Sequence, residues 1–415
     1  LDKDDYIIKV DFNDGWKLIK GNPLVGDVKF RTGSEHLADI SSGPFEPFGE
    51  NITFDIHKEK STGFATTQLV LKQGSWLEPN IDDAPIISSR IRLARNLDDY
   101  HFPGWATKDQ SRAVWKQSCD IFNILTSKYF NWKISDLSET DRDVLFERHL
   151  ISQDLANNKS DCGVFVSPDE SLSIMINEED HIRIQSLHAG LNLKQAWDEA
   201  NNIDDKLEEN MKYAYSSSLG YLTSCPSNVG TGLRASVMLH LPGLVLLEEM
   251  ESVVNGISKI GLAVRGMWGE GTEAVSNMFQ ISNQITLGKN EIKIIDHLEQ
   301  IVLELKDHEL NARKRLMTEK ELMVKDHVAR SYGILKNAHI IASSESLNLL
   351  STLRLGLDLG LVEGFSKQEL DKLFISTQPA HLQKLEGSEL EPNERDILRA
   401  EMLRLFLKNA KLKIK

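Results

Sequence analysis

The residues best suited to chemistry are arginines on short segments rich in glycine and serine. Arg90, Arg92 and Arg95 stand in SSRIRLAR, Arg183 in NEEDHIR, Arg234 in SNVGTGLRAS and Arg265 in VRGMWGEGTE. A guanidinium is a planar fork of donors that fits phosphate oxygens. Glycines beside it let backbone N–H groups approach the same oxygens. Carboxylates are the second group. Glu178, Glu179 and Asp180 follow an apolar run, and Glu270 and Glu273 flank a glycine in GEGTE. Acids so placed could bind Mg²⁺, act as a base or grip a cation. Taken singly, each arginine reads more simply as a solvated charge or structural ion pair, and each acid as a strand-end turn. Cys225 reads as a small buried hydrophobe or as a thiol tuned by nearby arginines.

Short strands and turns must position these groups. Residues 163–166 and 172–176 read as strands, and 234–241 as a buried apolar run. Residues 257–264 read as a strand or helix end, and 284–287 as a strand. Helical spacing marks 108–128, and 193–215 reads as a long polar helix. After Asn290 the pattern is helical throughout, with further helices over 343–353, 367–376 and 393–407. Residues 1–80 differ: β-rich runs at 6–12, 51–56 and 68–72 alternate with Gly, Pro, Ser and Asn clusters, and no chemistry is visible there. The organisation expected is an N-terminal extension (1–80), a catalytic domain (81–320) and a helical C-terminal domain (321–415).

The chain has 415 residues, 40% hydrophobic and 27% charged, with a formal net charge of −14. That balance is globular and excludes a disordered or disulfide-scaffold architecture. Net acidity argues against general nucleic-acid or membrane binding, so an anion site must be built locally. Three cysteines without a CxxC pair leave a zinc ribbon unsupported and point to a reducing compartment. No apolar run reaches the ~18 residues of a membrane span, and the first residues, which include no methionine, carry no signal-peptide pattern. A cytoplasmic protein is expected. Walker A, HExxH and GxSxG motifs are absent.

Taken together, SSRIRLARN, INEEDHIRIQ, GYLTSCPSNVGTGLRASVMLHLP and VRGMWGEGTEAVSNMFQISNQITLG resemble the phosphagen (guanidino) kinases, in the same order and spacing. RSYGIL, LRLGLDLG, STQPAHLQ and ERDILRA extend the resemblance from about Asp82 to the C-terminus, closest to the bacterial protein-arginine kinases. The resemblance implies an α+β guanidino-kinase fold: a small helical lobe, an antiparallel sheet flanked by helices, and a helical C-terminal domain used for dimerisation. It implies transfer of the γ-phosphoryl of ATP, with Mg²⁺, to a guanidinium. Arg90, Arg92, Arg183 and Arg234 would grip phosphate, with Ser89, Ser236 and His149 at the nucleotide and Arg265 in support. Glu178, Glu179 and Glu273 would hold and deprotonate the guanidinium, and Cys225 matches the family's active-site cysteine. Small-molecule members carry RGTRGEHTE where this chain has RGMWGEGTE. Trp268 thus replaces a phosphate-binding arginine, as in the protein-arginine kinases. Their RDxxRA motif matches Arg395, Asp396, Arg399 and Ala400, a phosphoarginine site away from the catalytic centre. By helical spacing Arg395 and Arg399 share a face.

The leading expectation is therefore a protein-arginine kinase. Substrates would be proteins with exposed arginines, and partners an unfoldase–protease or a stress-response repressor. A free-guanidino kinase and a catalytically silent phosphoarginine-binding scaffold are the alternatives. All depend on distant segments meeting in one cleft, a cationic cradle facing an acidic clamp.

Overall fold

The computed structural model describes residues 7–11, 15–20, 66–67, 69–70, 74, 76, 84–125, 129–158, 160–266 and 275–414. Glu270, Glu273, Trp268 and residues 51–56 lie outside them. Near the N-terminus, β1 (Ile7–Asp11) and β2 (Gly15–Lys20) pair as an antiparallel hairpin.

The centre of the protein is an eight-stranded sheet. Its strands are β3 (Ile86–Arg95), β4 (Phe130–Lys133), β5 (Gly163–Val166), β6 (Leu172–Ile176), β7 (Ile182–Ala189), β10 (Leu233–His240), β11 (Leu262–Gly266) and β12 (Met278–Asn283). They run in the order β11-β12-β10-β3-β7-β6-β5-β4, every pair antiparallel. A two-strand ribbon, β8 (Tyr215–Ser216) with β9 (Gly220–Tyr221), precedes the segment that carries Cys225. Successive side chains on a strand point to opposite faces, so register decides what each face shows. Ile91, Leu93, Ile182, Ile184, Leu233, Ala235, Val237 and Ile281 fall on one face. Helices α1 (Lys108–Leu125), α4 (Leu193–Glu208) and α7 (Glu291–Glu319) pack into the same core. Each Leu or Ile buried there contributes roughly 1.5–3 kcal/mol, which is what pins the register. Arg90, Arg92, Arg183, Arg234 and Ser236 necessarily take the other face.

Two short helices, α2 (Glu139–Glu147) and α3 (Gln153–Asn157), are inserted between β4 and β5. They form a small core of their own with Trp132, Leu145, Leu150 and Met175. Leu69 is buried in it. Residues 68–72 were expected as a strand, but Thr66, Thr67, Leu69 and Val70 are helical. A β-branched run reads as a strand on propensity, and packing against this apolar patch overrides it. Since Leu69 and Trp76 are buried with the catalytic sheet and its helices, residue 80 is not a packing boundary.

Helices α5 (Pro242–Leu246) and α6 (Met250–Lys259) link β10 to β11. The C-terminal part consists of α8 (Glu321–Asn337), α9 (Ser343–Asp358), α10 (Lys367–Ser376), α11 (Pro379–Glu386) and α12 (Pro392–Phe406). The β13 (Val362–Glu363) and β14 (Lys411–Leu412) pair closes it. Its core cluster takes in Met278 and packs against Ile87 and Met238, so the helices lean on the His240 end of the polar face. A buried charge network fastens them there. Arg313 bonds Glu309 and Asp358 at 2.6 and 2.8 Å, and Arg354 bonds Asp371 at 2.8 Å. Among the described residues, that cluster takes in none from the Arg234 end of the face.

Residues 284–287, expected as a strand, lie beyond the end of β12. Thr286 Oγ1 donates to the carbonyls of Ser227 and Val229 at 3.0 and 2.7 Å, holding the glycine-rich segment that leads into Arg234. The helix expected over 193–215 stops at Glu208, because Tyr213 is drawn into a bridge with Leu97.

Candidate active site

Cross-strand pairing assembles the arginines. Arg92 stands opposite Arg234, and Arg90 opposite Ser236, on β3 and β10. On the other side of β3, Ala94 pairs with Arg183, two positions along from the Gln185–Arg92 pair and so on the same face. Guanidiniums this close repel one another. Burial, then the charges of Arg234 and Arg183, lowers the pKa of Arg90 to about 10. Burial, then Arg265 and Arg183, does the same for Arg234, to about 10. Arg92 is lowered further by burial, Arg90, Arg234 and Arg183. The Nε atoms of Arg92 and Arg234 are buried without a hydrogen-bond partner. A cluster of mutually repelling cations with idle buried donors is a site for a polyanion.

Three members of the cleft were not legible in sequence. Gln280 Oε1 accepts from Arg90 Nη2 at 2.5 Å, and Ser282 Oγ accepts from Arg234 Nη2 at 3.2 Å. Trp76 meets His149 edge to face, ring centroids 5.5 Å apart. Only the register of β12 and the tertiary packing of Trp76 bring them in. Arg265 is exposed on β11 and near enough to Arg234 to depress its pKa.

The acids stand on the turn between β6 and β7. Asn177, in left-handed conformation at φ 56°, makes the turn and is anchored to the carbonyls of Ser111 and Asp161 at 2.8 and 2.7 Å. The three carboxylates differ in their surroundings. Glu178 is buried, accepts from Ser152 Oγ at 2.5 Å and pairs with Arg183 at 2.6 Å. Glu179 pairs with Arg183 at 2.7 Å but its side chain is 44% exposed. Asp180 is fully buried and accepts from Asn96 Nδ2 and the Ser224 N–H, each at 2.7 Å. It thereby ties the acidic turn to Cys225, whose Sγ lies 3.0 Å from Ser227 Oγ. Arg183 touches all three acids. Burial opposes its charge, yet Glu178, Asp180 and Glu179 hold its pKa above the usual value. Cys225 in turn lies within electrostatic reach of Arg234. Arg183 thus joins the acidic turn to the arginine face of the sheet.

His149 lines a cavity beside Arg90, together with Trp76, Ser88, Ser236, Met238 and Ile375. Burial, then Arg90, lowers its pKa to about 3. His181 is lowered to about 4, chiefly by burial; its Nδ1 accepts from the Leu97 N–H and its Nε2 donates to the His101 carbonyl. Both imidazoles are neutral at pH 7. In the unfolded chain a histidine takes up a proton below about pH 6.5, so the unfolded state binds more protons between about 6.5 and 4. Stability is thus complete above pH 6.5 and lost as pH falls through that window. The thermal midpoint is expected to drop from pH 7 to 4, with a shallower slope in His181→Gln; an unchanged slope would contradict the neutral assignment.

Ser89 does not reach the cleft. It is one residue out of phase with Arg90, and its hydroxyl donates to the Gly190 carbonyl and accepts the Asn192 N–H. Ser88 has the correct parity and lines the cavity. In the C-terminal motif, Arg399 is 1% exposed: its Nε and Nη1 donate to the carbonyls of Thr377 and Ile341, and Nη1 also pairs with Asp396. Ala400 is fully buried. Arg399 and Ala400 thus hold α12 against its neighbours, and Arg395 and Asp396 are the half-buried members of the motif.

Residues 113–312 match the family profile described as ATP:guanido phosphotransferase, C-terminal catalytic domain. Residues 321–414 match that of the protein-arginine kinase McsB C-terminal domain. The protein-arginine kinase of Halothermothrix orenii is 48% identical over 323 residues, 78% of this chain and 93% of the relative. That of Shouchella clausii is 47% identical over 338 residues, 80% and 94%. The chain belongs to the protein-arginine kinase family. The kinase has the guanidino-kinase α+β fold: a solved lombricine kinase superposes with TM-score 0.51 at 28% identity, over 60% of this chain and 71% of that one. It is an ATP:guanidino phosphotransferase. No helix among its described residues is long and apolar enough to cross a membrane.

Proposed function

We propose that the kinase phosphorylates arginine side chains of proteins with the γ-phosphoryl group of ATP, on the face of the sheet that carries Arg90, Arg92, Arg183 and Arg234. The observation that carries this reading is the bridge made by Arg183, one guanidinium touching Glu178, Glu179 and Asp180 while its charge bears on Arg90 and Arg234. Phosphoryl transfer needs positioning and charge neutralisation more than covalent help from the protein. The arginines neutralise the phosphate oxygens, and the base enters the cavity beside His149. Mg²⁺, an ion that binds through few protein ligands, would supply further charge neutralisation at the phosphates.

Glu179 and Glu273 bracket the incoming guanidinium with paired hydrogen bonds. A guanidinium, with pKa above about 12, is a poor nucleophile until a proton is drawn off. One nitrogen attacks the γ-phosphorus, the bond to the β–γ bridging oxygen breaks, and the proton passes to a carboxylate. Products are phosphoarginine and ADP. Cys225 lies beside Arg234 at the edge of this encounter, and Arg265 supports the phosphates. Arg395 and Asp396 receive phosphoarginine at a second site, with Arg399 and Ala400 as its frame. A homodimer, work in the cytoplasm and partnership with an unfoldase–protease or a repressor complete the proposal. Three free cysteines suit a reducing compartment, and a net charge of −14 suits basic protein substrates better than nucleic acid.

The test is mass spectrometry of a basic protein after incubation with Mg-ATP, alongside free arginine. Acid-labile phosphate on protein arginines is expected. Labelling of the free amino acid alone would replace this reading with a small-molecule guanidino kinase.

A further inference from the structure

The cavity beside His149 has walls from two parts of the chain. Ser88, Met238 and Leu187 come from the sheet, while Phe374 and Ile375 come from α10 in the C-terminal part. The width of the cavity therefore depends on what holds α10 and α11 against the catalytic part.

Glu147, the last residue of α2, is placed to do this. Its Oε1 accepts the N–H of Ala380 at 2.8 Å, and its Oε2 accepts the N–H of His381 at 3.0 Å. Oε2 also lies 2.7 Å from His381 Nδ1. One buried carboxylate thus takes three donors at the start of α11, where unsatisfied N–H groups and the helix dipole favour a negative charge. The neighbouring residue completes the arrangement. Arg148 donates to both oxygens of Glu170 at 2.7 Å, and its Nη1 lies 3.4 Å from His381 Nε2. With Nδ1–H donating to Glu147, Nε2 is the accepting nitrogen, and the imidazole is neutral. At the other end of the same helix pair, Lys384 Nζ bonds Asp141 at 2.5 Å. His149, two residues after Glu147, is the one that lines the cavity, held in left-handed conformation at φ 58°.

We propose that Glu147 is a positioning residue for the nucleotide base: by fixing the start of α11 it sets the distance between the Phe374–Ile375 wall and His149. The proposal rests on the reading that this cavity receives the base. It assigns Glu147 an effect on base recognition and none on the phosphates, which are held by strand residues on the sheet, or on the transfer step.

The experiment compares ADP with inorganic pyrophosphate, by calorimetry on the full chain, and adds steady-state kinetics. Glu147→Ala is expected to weaken ADP by about tenfold, the scale of one lost buried polar partner, and to leave pyrophosphate within about twofold. KM for ATP rises while kcat at saturating ATP holds. Glu147→Gln, which keeps one acceptor oxygen, falls between, and carries the same comparison if the alanine variant does not fold. Equal losses for ADP and pyrophosphate, or a fall in kcat with KM unmoved, would reduce Glu147 to a structural residue and overturn the proposal. Ile375→Trp separates the underlying reading, since it fills the cavity. If ADP binds that variant as tightly as the native chain, the cavity is not the base site. If Ile375→Trp blocks ADP while Glu147→Ala does not weaken it, the base site stands and the positioning role is refuted.

Discussion

Glu179→Gln lowers kcat by roughly 10²–10⁴-fold, the usual contribution of a positioned general base, with ADP affinity changed by no more than about threefold. The three acids of the turn are chemically alike, and their surroundings separate them. Glu178 is buried and has its oxygens engaged by Ser152, Arg183 and the Glu179 N–H. Asp180 is fully buried and engaged by Asn96 and Ser224. Glu179 alone of the three combines an exposed carboxylate with a fixed orientation, since Arg183 holds it from behind. It can meet a guanidinium arriving from solvent without a buried rearrangement. Replacing its charged oxygen by an amide keeps the volume and removes the proton acceptor. Steady-state turnover on an arginine-containing protein, with calorimetric ADP binding beside it, checks the split. A native kcat in Glu179→Gln would remove this residue from the chemistry.

Arg92→Met has the second large effect, and it runs in opposite directions for binding and for stability. Arg92 sits among Arg90, Arg183 and Arg234, and its buried Nε has no hydrogen-bond partner. Without an anion it is a source of repulsion. Methionine occupies similar space without the charge, so the thermal midpoint of the ligand-free protein is expected to stay level or rise. With the nucleotide present the same guanidinium would be a charge-assisted donor to phosphate, a class of bond worth roughly 1.5–3 kcal/mol. ADP affinity should fall by about 10–100-fold, and the upward shift of the midpoint on adding ADP should nearly vanish. Function built at the expense of stability is the general pattern for such sites. A melting curve with and without ADP measures both. A variant that melts earlier than the native chain but keeps its ADP shift would show that Arg92 serves the fold and not the ligand.

Part of the sheet was legible: residues 163–166 and 172–176 read as strands and form β5 and β6. In Ile86–Arg95, read from the sequence only as a short arginine-rich segment, the buried residues Ile91 and Leu93 interleave with Arg90 and Arg92 and give the strand one apolar and one cationic face. The same alternation shows why Ser89 was misplaced. A serine beside an arginine looks like a phosphate ligand until parity is applied, and Ser89 is on the wrong side of the strand. Residues 284–287 misled in another way. Their β-branched and apolar composition suits a strand, but Thr286 spends its hydroxyl on the carbonyls of the glycine-rich segment. For Arg399, helical spacing correctly places it one turn from Arg395. Spacing says nothing about burial, and the carbonyls of Thr377 and Ile341, from two other segments, claim its donors.

By itself the sequence determined the chemical inventory of this protein: which arginines, which acids, the family they resemble and the faces on which a strand or helix must put them. These are local properties, fixed by side-chain type and by the two- and 3.6-residue periods of the backbone. The tertiary structure decided which of those groups meet. Arg183 coming alongside Arg92 and Arg234, Gln280 bonding Arg90, Trp76 joining His149 and Glu147 capping a helix more than two hundred residues away all depend on pairings between distant segments. The energy that selects those pairings is the burial of the sheet's opposite, apolar face. Of the candidates, that face contains only Ser89 and Arg95, the latter buried in an ion pair with Asp204, and so it gives no local sign of where the others will stand.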